Sequence, residues 1–188
     1  MVSPDSLTEQ FDKRILPFRE YKIEDGREVN ISRLTSDNLD LEQYKIAHKS
    51  LVISCHDVFI RYNEGILLVI RDNYPVKDIF WPIGGRLRRG LTTLDSLRLV
   101  AKGECGLDLE RISLLGIART FFRSEPFSHG RGTDTLNLVY SAEGKGELNL
   151  DRLHKNPQII NPARYKELKD SLHPYVKDFM DNLFGYEI

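Results

Sequence analysis

The stretch GGRLRRGLTTLDSLRLVAKGECGL, from Gly84 to Leu107, decides the fold of this chain. Its two glycines are followed by a basic loop and then by apolar residues at helical spacing. A threonine at position 92 with Asp95 three residues later is typical of a helix start, and Gly106 suits the left-handed residue that ends a helix. We therefore expect a helix over residues 92–105, entered from a glycine turn.

The same stretch combines anion-binding groups with one carboxylate. Paired glycines let the backbone approach a ligand closely, and the guanidinium groups of Arg86, Arg88 and Arg89 match phosphate oxygens. Glu104 falls on the Leu97 side of the predicted helix, which should face the protein. Because the helix dipole disfavours a carboxylate in the last turn, a bound cation beside Glu104 would explain its position. The alternative is an exposed residue at a frayed helix end.

Strands predicted from apolar runs surround this helix. They cover residues 51–61, 65–71, 112–123, 135–141 and 158–160. The first two form a hairpin. Further helices are expected over 41–48, with Asp40 as the cap, and over 163–183, where Pro174 should split the helix. Residues 1–40 are polar and contain at most a short hairpin over 18–31. Strands on both sides of a central helix predict an α/β sandwich.

The composition is that of a soluble globular protein. The 188 residues carry 27 Lys plus Arg and 28 Asp plus Glu, a net charge of −1, which excludes the basic field behind non-specific nucleic-acid binding. Cys55 and Cys105 form no CxxC spacing, so neither a zinc site nor a redox motif is expected, and so few cysteines fit a cytoplasmic location. No segment resembles a signal peptide or reaches the ~18 apolar residues of a membrane span.

The stretch that begins at Gly84 resembles the Nudix box. The pattern of that family is glycine, five residues, glutamate, seven residues, Arg-Glu, an aliphatic residue, any residue, Glu-Glu, any residue, glycine and an aliphatic residue. The matching positions are Gly85, Ala101, Glu104, Gly106 and Leu107. The preceding hairpin and the Phe-Trp-Pro approach to the glycines follow the usual Nudix order. The resemblance implies an α/β/α sandwich with a mixed sheet.

Four box positions depart from the pattern. Leu91 stands where the first glutamate belongs, Leu99 and Val100 replace Arg-Glu, and Gly103 replaces the first member of the glutamate pair. Most of the carboxylates that bind metal in this family are therefore missing.

Over about residues 50 to 165 the chain is similar to the GDP-mannose mannosyl hydrolase branch of the family, which has a reduced box. The resemblance implies that Glu104 and the carbonyl of Gly85 bind Mg²⁺, and that Arg71 and Arg86 bind the diphosphate. His154 takes the position of the general base in that branch. The preceding residue is a leucine here, where the branch has a metal-binding glutamine.

Further side chains are candidates for substrate contacts. Asp134, in a Gly-Thr-Asp segment that the branch also has, would bind a sugar hydroxyl or orient the loop, and His129 would contact the sugar or the nucleotide. The alternatives are an exposed charge at a strand end for Arg71, a solvated loop face for Arg88 and Arg89, and a surface loop position for His154. Trp81 and Phe121 are expected in the core or in a pocket wall.

The sequence thus predicts an N-terminal extension over 1–48 and a Nudix-like domain over 49–188. The implied activity is hydrolysis of a nucleoside diphosphate sugar to nucleoside diphosphate and sugar, with Mg²⁺ as cofactor and His154 as the base that activates water. The resemblance implies a homodimer, and no nucleic-acid or membrane partner is expected. The alternative is a catalytically inactive Nudix domain that binds a nucleotide sugar or a protein. A transcription regulator is disfavoured, since no basic helix-turn-helix domain follows the box.

Overall fold

A mixed seven-stranded sheet forms the centre of the structure, a computed structural model that describes residues 18–34 and 39–186. Its strands are β3 (Ile53–Tyr62), β4 (Gly65–Arg71), β5 (Phe80–Trp81), β6 (Ile83–Arg86), β7 (Asp108–Phe122), β8 (Thr133–Lys145) and β9 (His154–Ile160). They pair in the order β5-β4-β3-β8-β7, with β6 beside β3 and β9 beside β4. β3 and β8 are parallel and the other paired strands of the sheet are antiparallel. A separate hairpin, within the range predicted for it, pairs β1 (Ile23–Glu24) with β2 (Arg27–Glu28).

Helices cover both faces of this sheet. The helices are α1 (Leu41–Ser50), α2 (Thr93–Cys105), α3 (Pro162–Leu168) and α4 (Pro174–Phe184), with 3₁₀ turns at Ile31–Leu34 and Lys169–Ser171. One core cluster joins Leu97 of α2 to Val58 and Leu138 of the sheet, and a second joins Val176 of α4 to Phe59 on the opposite face. The predicted α/β/α sandwich with a mixed sheet is confirmed. In the part of the chain that the structure describes, no helix is long and apolar enough to cross a membrane.

Local sequence signals produce the elements that frame the site. Asn63 and Glu64 both have positive φ, 43° and 67°, and form the two-residue turn of the β3–β4 hairpin, because such turns match the twist of the flanking strands. The Thr92 side chain accepts a hydrogen bond from the backbone N–H of Asp95, and Gly106 ends α2 with φ of 76°. The predicted hairpin and the predicted central helix are confirmed.

Three strands are longer than their apolar runs. β7 begins at Asp108 and β8 extends from 133 to 145, because the two strands pair along almost their whole length and carry polar residues into the ladder. β9 begins at His154 and contains Pro157, which lacks a backbone N–H; it pairs with β4 alone among the described strands, and proline is tolerated on such an edge. This places His154 on a strand.

Candidate functional site

A cavity of about 430 Å³ opens where the N-terminal part of β3 and the strand β6 meet the last turns of α2. Its remaining walls come from β4, β5, β7 and β8, from α1, and from the loops after β4, β6 and β7. The lining residues are Tyr44, His48, Ile53, Cys55, Asp57, Arg71, Asn73, Tyr74, Pro75, Val76, Trp81, Gly84, Gly85, Arg86, Arg88, Val100, Glu104, Thr120, Phe122, Pro126, Phe127, Thr133, Thr135 and Asn137. Of the site residues predicted from the sequence, Arg71, Gly85, Arg86 and Glu104 line this cavity.

The glycine pair brings β6 close to the carboxylates of the cavity. Gly84 lies opposite Asp57 in the β3–β6 ladder, and a Cβ atom at position 84 would collide with the Asp57 carboxylate and with the backbone oxygen of His56. The backbone N–H of Gly84 donates a hydrogen bond to Glu104 Oε2 at 3.3 Å. A Cβ atom at Gly85 would lie 3.7 Å from Glu104 Oε1. Glycine at position 84 is therefore required by space.

Glu104 faces the protein, as its place on α2 predicts, and the alternative of an exposed helix end is wrong. Its side chain is 23% exposed. Burial raises the pKa of Glu104 to about 8, and the guanidinium of Arg71 and the N–H of Gly84 oppose this rise by favouring the carboxylate. A cation that entered the cavity would stabilise the ionised form further.

His154 lies beside Glu104, at the start of β9. Its Nδ1 atom is 2.7 Å from Asp151 Oδ1, an oxygen that also accepts a hydrogen bond from the N–H of Leu153. Its Nε2 atom is 3.7 Å from Glu104 Oε2, is buried and has no hydrogen-bond partner among the described residues. Burial lowers the pKa of His154, and the hydrogen bond to Asp151 opposes this. The ring is 3% exposed, so a surface loop position is wrong.

Arg71 lines the cavity from the end of β4 and pairs with His154 in the β4–β9 ladder. Its Nη2 atom donates to Asn73 Oδ1 at 3.1 Å, and its buried Nε–H has no hydrogen-bond partner within the described residues. Burial raises the pKa of the neighbouring Asp57 to about 6, while Tyr175 and Arg71 favour its ionised form. Arg71 therefore brings an incompletely satisfied guanidinium to a cavity that contains two buried carboxyl groups.

Aromatic rings from α1 and from the loop after β7 form another wall of the cavity. The guanidinium of Arg86 lies 4.0 Å from the ring centroid of Tyr44, a cation–π distance. The Tyr44 ring also meets Phe127 edge to face at 5.0 Å, and Phe127 contacts His48 in the same way at 5.1 Å. Planar ligand groups could stack against such a wall.

Strands β7 and β8 bring hydroxyl and amide groups to the cavity. The Oγ1 atoms of Thr120 and Thr135 are 2.5 Å apart, and Asn137 Nδ2 donates to both, at 3.1 and 3.0 Å. Cys55 also lines the cavity, and burial raises the pKa of its thiol to about 12. Burial therefore disfavours a thiolate nucleophile at this position near neutral pH.

Two of the predicted substrate contacts lie outside the lining of the cavity. Alternate residues of β8 point to opposite faces of the sheet. Thr133 and Thr135 line the cavity, so Asp134 between them points to the other face. There it forms a bidentate ion pair with Arg119, at 3.0 and 2.8 Å. His129 lies behind the aromatic wall, with its Nε2 atom 2.8 Å from His48 Nδ1. Their substrate roles stay predictions.

Several residues that line the cavity belong to no motif in the sequence. Tyr44 and His48 belong to α1, which spans the predicted domain boundary at 48/49. Asp57 also belongs to no motif. A charged residue within the apolar run of β3 nevertheless indicates a buried position at which the charged group has hydrogen-bond partners. Trp81 is 4% exposed and lines the cavity, as predicted, whereas Phe121 is 69% exposed, so it is neither in the core nor in the wall of this cavity. Phe121 alternates with the cavity residues Thr120 and Phe122, so it points away.

The donors present fit a divalent cation with few protein ligands. Among residues 18–34 and 39–186, no cluster of three or more His, Cys, Asp or Glu side chains is arranged to hold a metal. Glu104 Oε2 and the unpartnered Nε2 of His154 nevertheless meet beside the cavity. An ion that keeps several waters and binds substrate phosphates needs only one or two protein side chains. Val100, where the box pattern has a glutamate, lines the same cavity with a hydrocarbon surface.

Comparison with known proteins agrees with this architecture. No family model matches the sequence. The chain is 29% identical over 131 residues to the low-salt glycan biosynthesis protein Agl8 of Haloferax volcanii, covering 68% of this chain and 79% of that protein. A NUDIX hydrolase from Nitrosomonas europaea superposes with a TM-score of 0.57 and 14% identity, covering 73% of this chain and 94% of the other.

A larger protein also superposes on the chain. It is a bifunctional NMN adenylyltransferase/ADP-ribose pyrophosphatase from Francisella tularensis, solved with AMP and a manganese ion, with a TM-score of 0.55 and 18% identity over 72% of this chain. The chain spans 42% of that protein. In this chain a mixed sheet is held between helices, and a glycine-bearing strand leads into the central helix α2. This chain has the fold of the Nudix hydrolases.

Proposed function

We propose that this chain binds a nucleoside diphosphate sugar in the cavity and hydrolyses it to nucleoside diphosphate and sugar. The main support for this proposal is Arg71. Its guanidinium lines the cavity, and its buried Nε–H has no hydrogen-bond partner among the described residues. An anionic ligand would supply the missing acceptor, and two arginines with glycine backbone nearby suit a diphosphate. The cavity volume of about 430 Å³ lies in the range of small-molecule sites.

The charges that line the cavity support an anionic ligand. The lining includes three guanidinium groups, from Arg71, Arg86 and Arg88, and two carboxyl groups, from Asp57 and Glu104. Burial raises the pKa of both carboxyl groups and so favours their uncharged forms. The cavity therefore carries an excess of positive charge that attracts a diphosphate.

The remaining surfaces of the cavity suit the two ends of such a ligand. The Tyr44–Phe127 wall offers ring faces and edges to a nucleobase. The hydroxyl and amide groups of Thr120, Thr135 and Asn137 offer donors and acceptors to sugar hydroxyls. The comparisons lend support, because one relative is named for glycan biosynthesis and one superposed structure is named an ADP-ribose pyrophosphatase.

In the proposed reaction, water attacks the anomeric carbon and the bond from that carbon to the diphosphate oxygen breaks. The electron pair leaves with the nucleoside diphosphate, which Arg71 and Arg86 stabilise, and the water proton passes to a basic group. Glu104 and the carbonyl of Gly85 would hold Mg²⁺ or a similar cation, whose chemistry is to neutralise diphosphate charge. Attack at carbon needs less activation of the attacking water than attack at phosphorus, because the diphosphate is already a stabilised leaving group, and this fits a box with few carboxylates. The base role of His154 stays a prediction.

The experiment is product analysis with a panel of nucleotide sugars in ¹⁸O-labelled water. Nucleoside diphosphate with the label in the sugar is the expected result, and Arg71→Lys and Glu104→Gln should lower the rate. Nucleoside monophosphate with the label in phosphate would replace this proposal by a pyrophosphatase. Asp108→Asn, which changes an exposed ion pair with Lys102 outside the cavity lining, is the control variant.

A second candidate function, binding without turnover, is favoured by one specific observation. Val100 presents methyl groups to the cavity, and its Cγ1 atom would lie 3.6 Å from a Cβ at Gly85, at a position where the box pattern has a carboxylate. A nucleotide-sugar sensor or scaffold would retain the arginines and lose this carboxylate. Thermal stabilisation by nucleotide sugars with no product over long incubation would support this function.

A further inference from the structure

We propose that His154 and Glu104 together form a mixed imidazole–carboxylate site for a divalent cation that accepts nitrogen ligands, such as Mn²⁺ or Co²⁺, in preference to Mg²⁺. The inference deepens the proposed function, since the site borders the same cavity, but it requires binding and not hydrolysis. It assigns His154 as a ligand, a role different from that of general base.

The proton position on His154 follows from its neighbour. Asp151 Oδ1 lies 2.7 Å from Nδ1, and a carboxylate only accepts hydrogen bonds, so Nδ1 carries the proton. In the neutral ring the lone pair is then on Nε2, the nitrogen that lies 3.7 Å from Glu104 Oε2. A carboxylate that holds the far nitrogen of an imidazole is the usual support of a histidine that binds metal.

The lone pair of Nε2 lacks a partner within the described structure. The His154 side chain is 3% exposed, so bulk water does not satisfy it. A protonated Glu104 would not satisfy it either, because 3.7 Å is too long for a hydrogen bond. Two metal–ligand bonds of about 2.1 Å span up to about 4.2 Å, so one ion can bridge Nε2 and Oε2 at the observed separation.

The chemistry of this donor pair selects among metals. Mg²⁺ prefers oxygen ligands and strict octahedral geometry, whereas imidazole favours transition metals, with affinity rising from Mn²⁺ to Co²⁺. The nearby guanidinium of Arg71 repels a cation, and a bound diphosphate would offset this repulsion. We therefore expect tighter metal binding when a nucleoside diphosphate is present.

The test is Mn²⁺ binding followed by electron paramagnetic resonance, with and without ADP. Wild-type protein should bind Mn²⁺ about tenfold more tightly than Mg²⁺ or better, and pulsed spectra should show coupling to an imidazole nitrogen. In His154→Gln, which keeps an oxygen donor, the coupling should vanish and Mn²⁺ affinity should fall about 10- to 100-fold. His173→Asn, which keeps a helix-capping side chain at the start of α4, should behave as wild type.

Two results would overturn the proposed site. One is bound Mn²⁺ without imidazole coupling, and the other is no Mn²⁺ binding either with or without ADP. Should His154→Gln fail to fold, wild-type protein labelled with ¹⁵N-histidine still tests for an imidazole ligand, because the coupling must change with the isotope, and an unchanged spectrum overturns the site. Imidazole coupling in a protein that leaves every nucleotide sugar intact would sustain this site and refute the proposed hydrolase.

Discussion

The hydroxyl of Tyr175 donates a hydrogen bond to Asp57 Oδ2 at 2.5 Å and so connects α4 to the cavity. Both residues are buried, and Tyr175 stacks on Trp81 with a centroid distance of 4.9 Å. The helix that closes the sandwich thus also satisfies a carboxyl group at the site.

Tyr175→Phe should lower the free energy of unfolding by about 1–3 kcal/mol, because the buried Asp57 loses its donor. Urea denaturation measures this change. Tyr62→Phe removes an exposed hydrogen bond to the Gly146 carbonyl and is the matched control. A loss at Tyr175 no larger than the loss at Tyr62 would contradict a role for this bond.

The pKa of Asp57 predicts a pH dependence of stability. Burial raises this pKa in the folded state to about 6, above the unfolded value of about 3.9. The contribution of Asp57 to the free energy of unfolding is therefore complete below about pH 3.9 and is lost as the pH rises through about 6. The asparagine in Asp57→Asn has no proton to lose. The stability of this variant relative to wild type should therefore increase between these two pH values, by at most about 1.4 kcal/mol per pH unit. Unfolding at a series of pH values checks this, with the exposed Asp170→Asn as control.

Tyr44→Ala should weaken binding of nucleotide sugars, because it removes the ring beneath the Arg86 guanidinium. The cation–π contact alone is worth about 0.5–1 kcal/mol at an exposed site. Tyr44→Phe keeps the ring and should bind nearly as wild type in isothermal titration. Equal affinities for the Ala and Phe variants would show that the ring does not contribute.

Asp134→Asn separates the predicted sugar contact from the observed ion pair. Asp134 faces Arg119, away from the cavity, and exposed pairs contribute about 0–1 kcal/mol. The geometry thus predicts a small change in stability and unchanged affinity for nucleotide sugars, again by titration calorimetry. A large loss of affinity would restore the sugar-binding role that the sequence suggests.

Gly84→Ala should destabilise the fold strongly, since its Cβ would collide with Asp57 and with backbone atoms of β3. Thermal unfolding of this variant should be compared with that of Gly103→Ala. Gly103 lies inside α2 with open space where a Cβ atom would extend, and alanine there should stabilise the helix by about 0.5–1 kcal/mol. Similar behaviour of the two variants would contradict the packing described for β6.

Residue patterns in the sequence predicted the parts of the fold that depend on residues close together in the chain. The cap at Thr92, the left-handed Gly106 and the β3–β4 hairpin are each set by neighbours in sequence, and each is found where expected. The placement of Glu104 also followed from helical spacing. The resemblance to the Nudix box brought Arg71 and Arg86 to attention, and both line the cavity.

The remaining site residues depend on contacts between distant segments. No local pattern indicates that α1 packs beside the loop after β7, so the positions of Tyr44 and His48 in the wall could not be predicted. The partner of Asp57 is Tyr175, 118 residues away. Asp134 has the residue type of a sugar ligand, yet the alternation of β8 turns it to the other face.

The helix α1 has a consequence for how ligand binding is transmitted. Its apolar residues Leu41 and Ile46 are 66% and 57% exposed, so the helix rests on the rest of the fold mainly through Tyr44 and His48, the same side chains that line the cavity. Docking of this helix and occupancy of the cavity are therefore linked equilibria. If the docked helix strengthens ligand binding by a certain free energy, the bound ligand stabilises the docked position of the helix by the same amount.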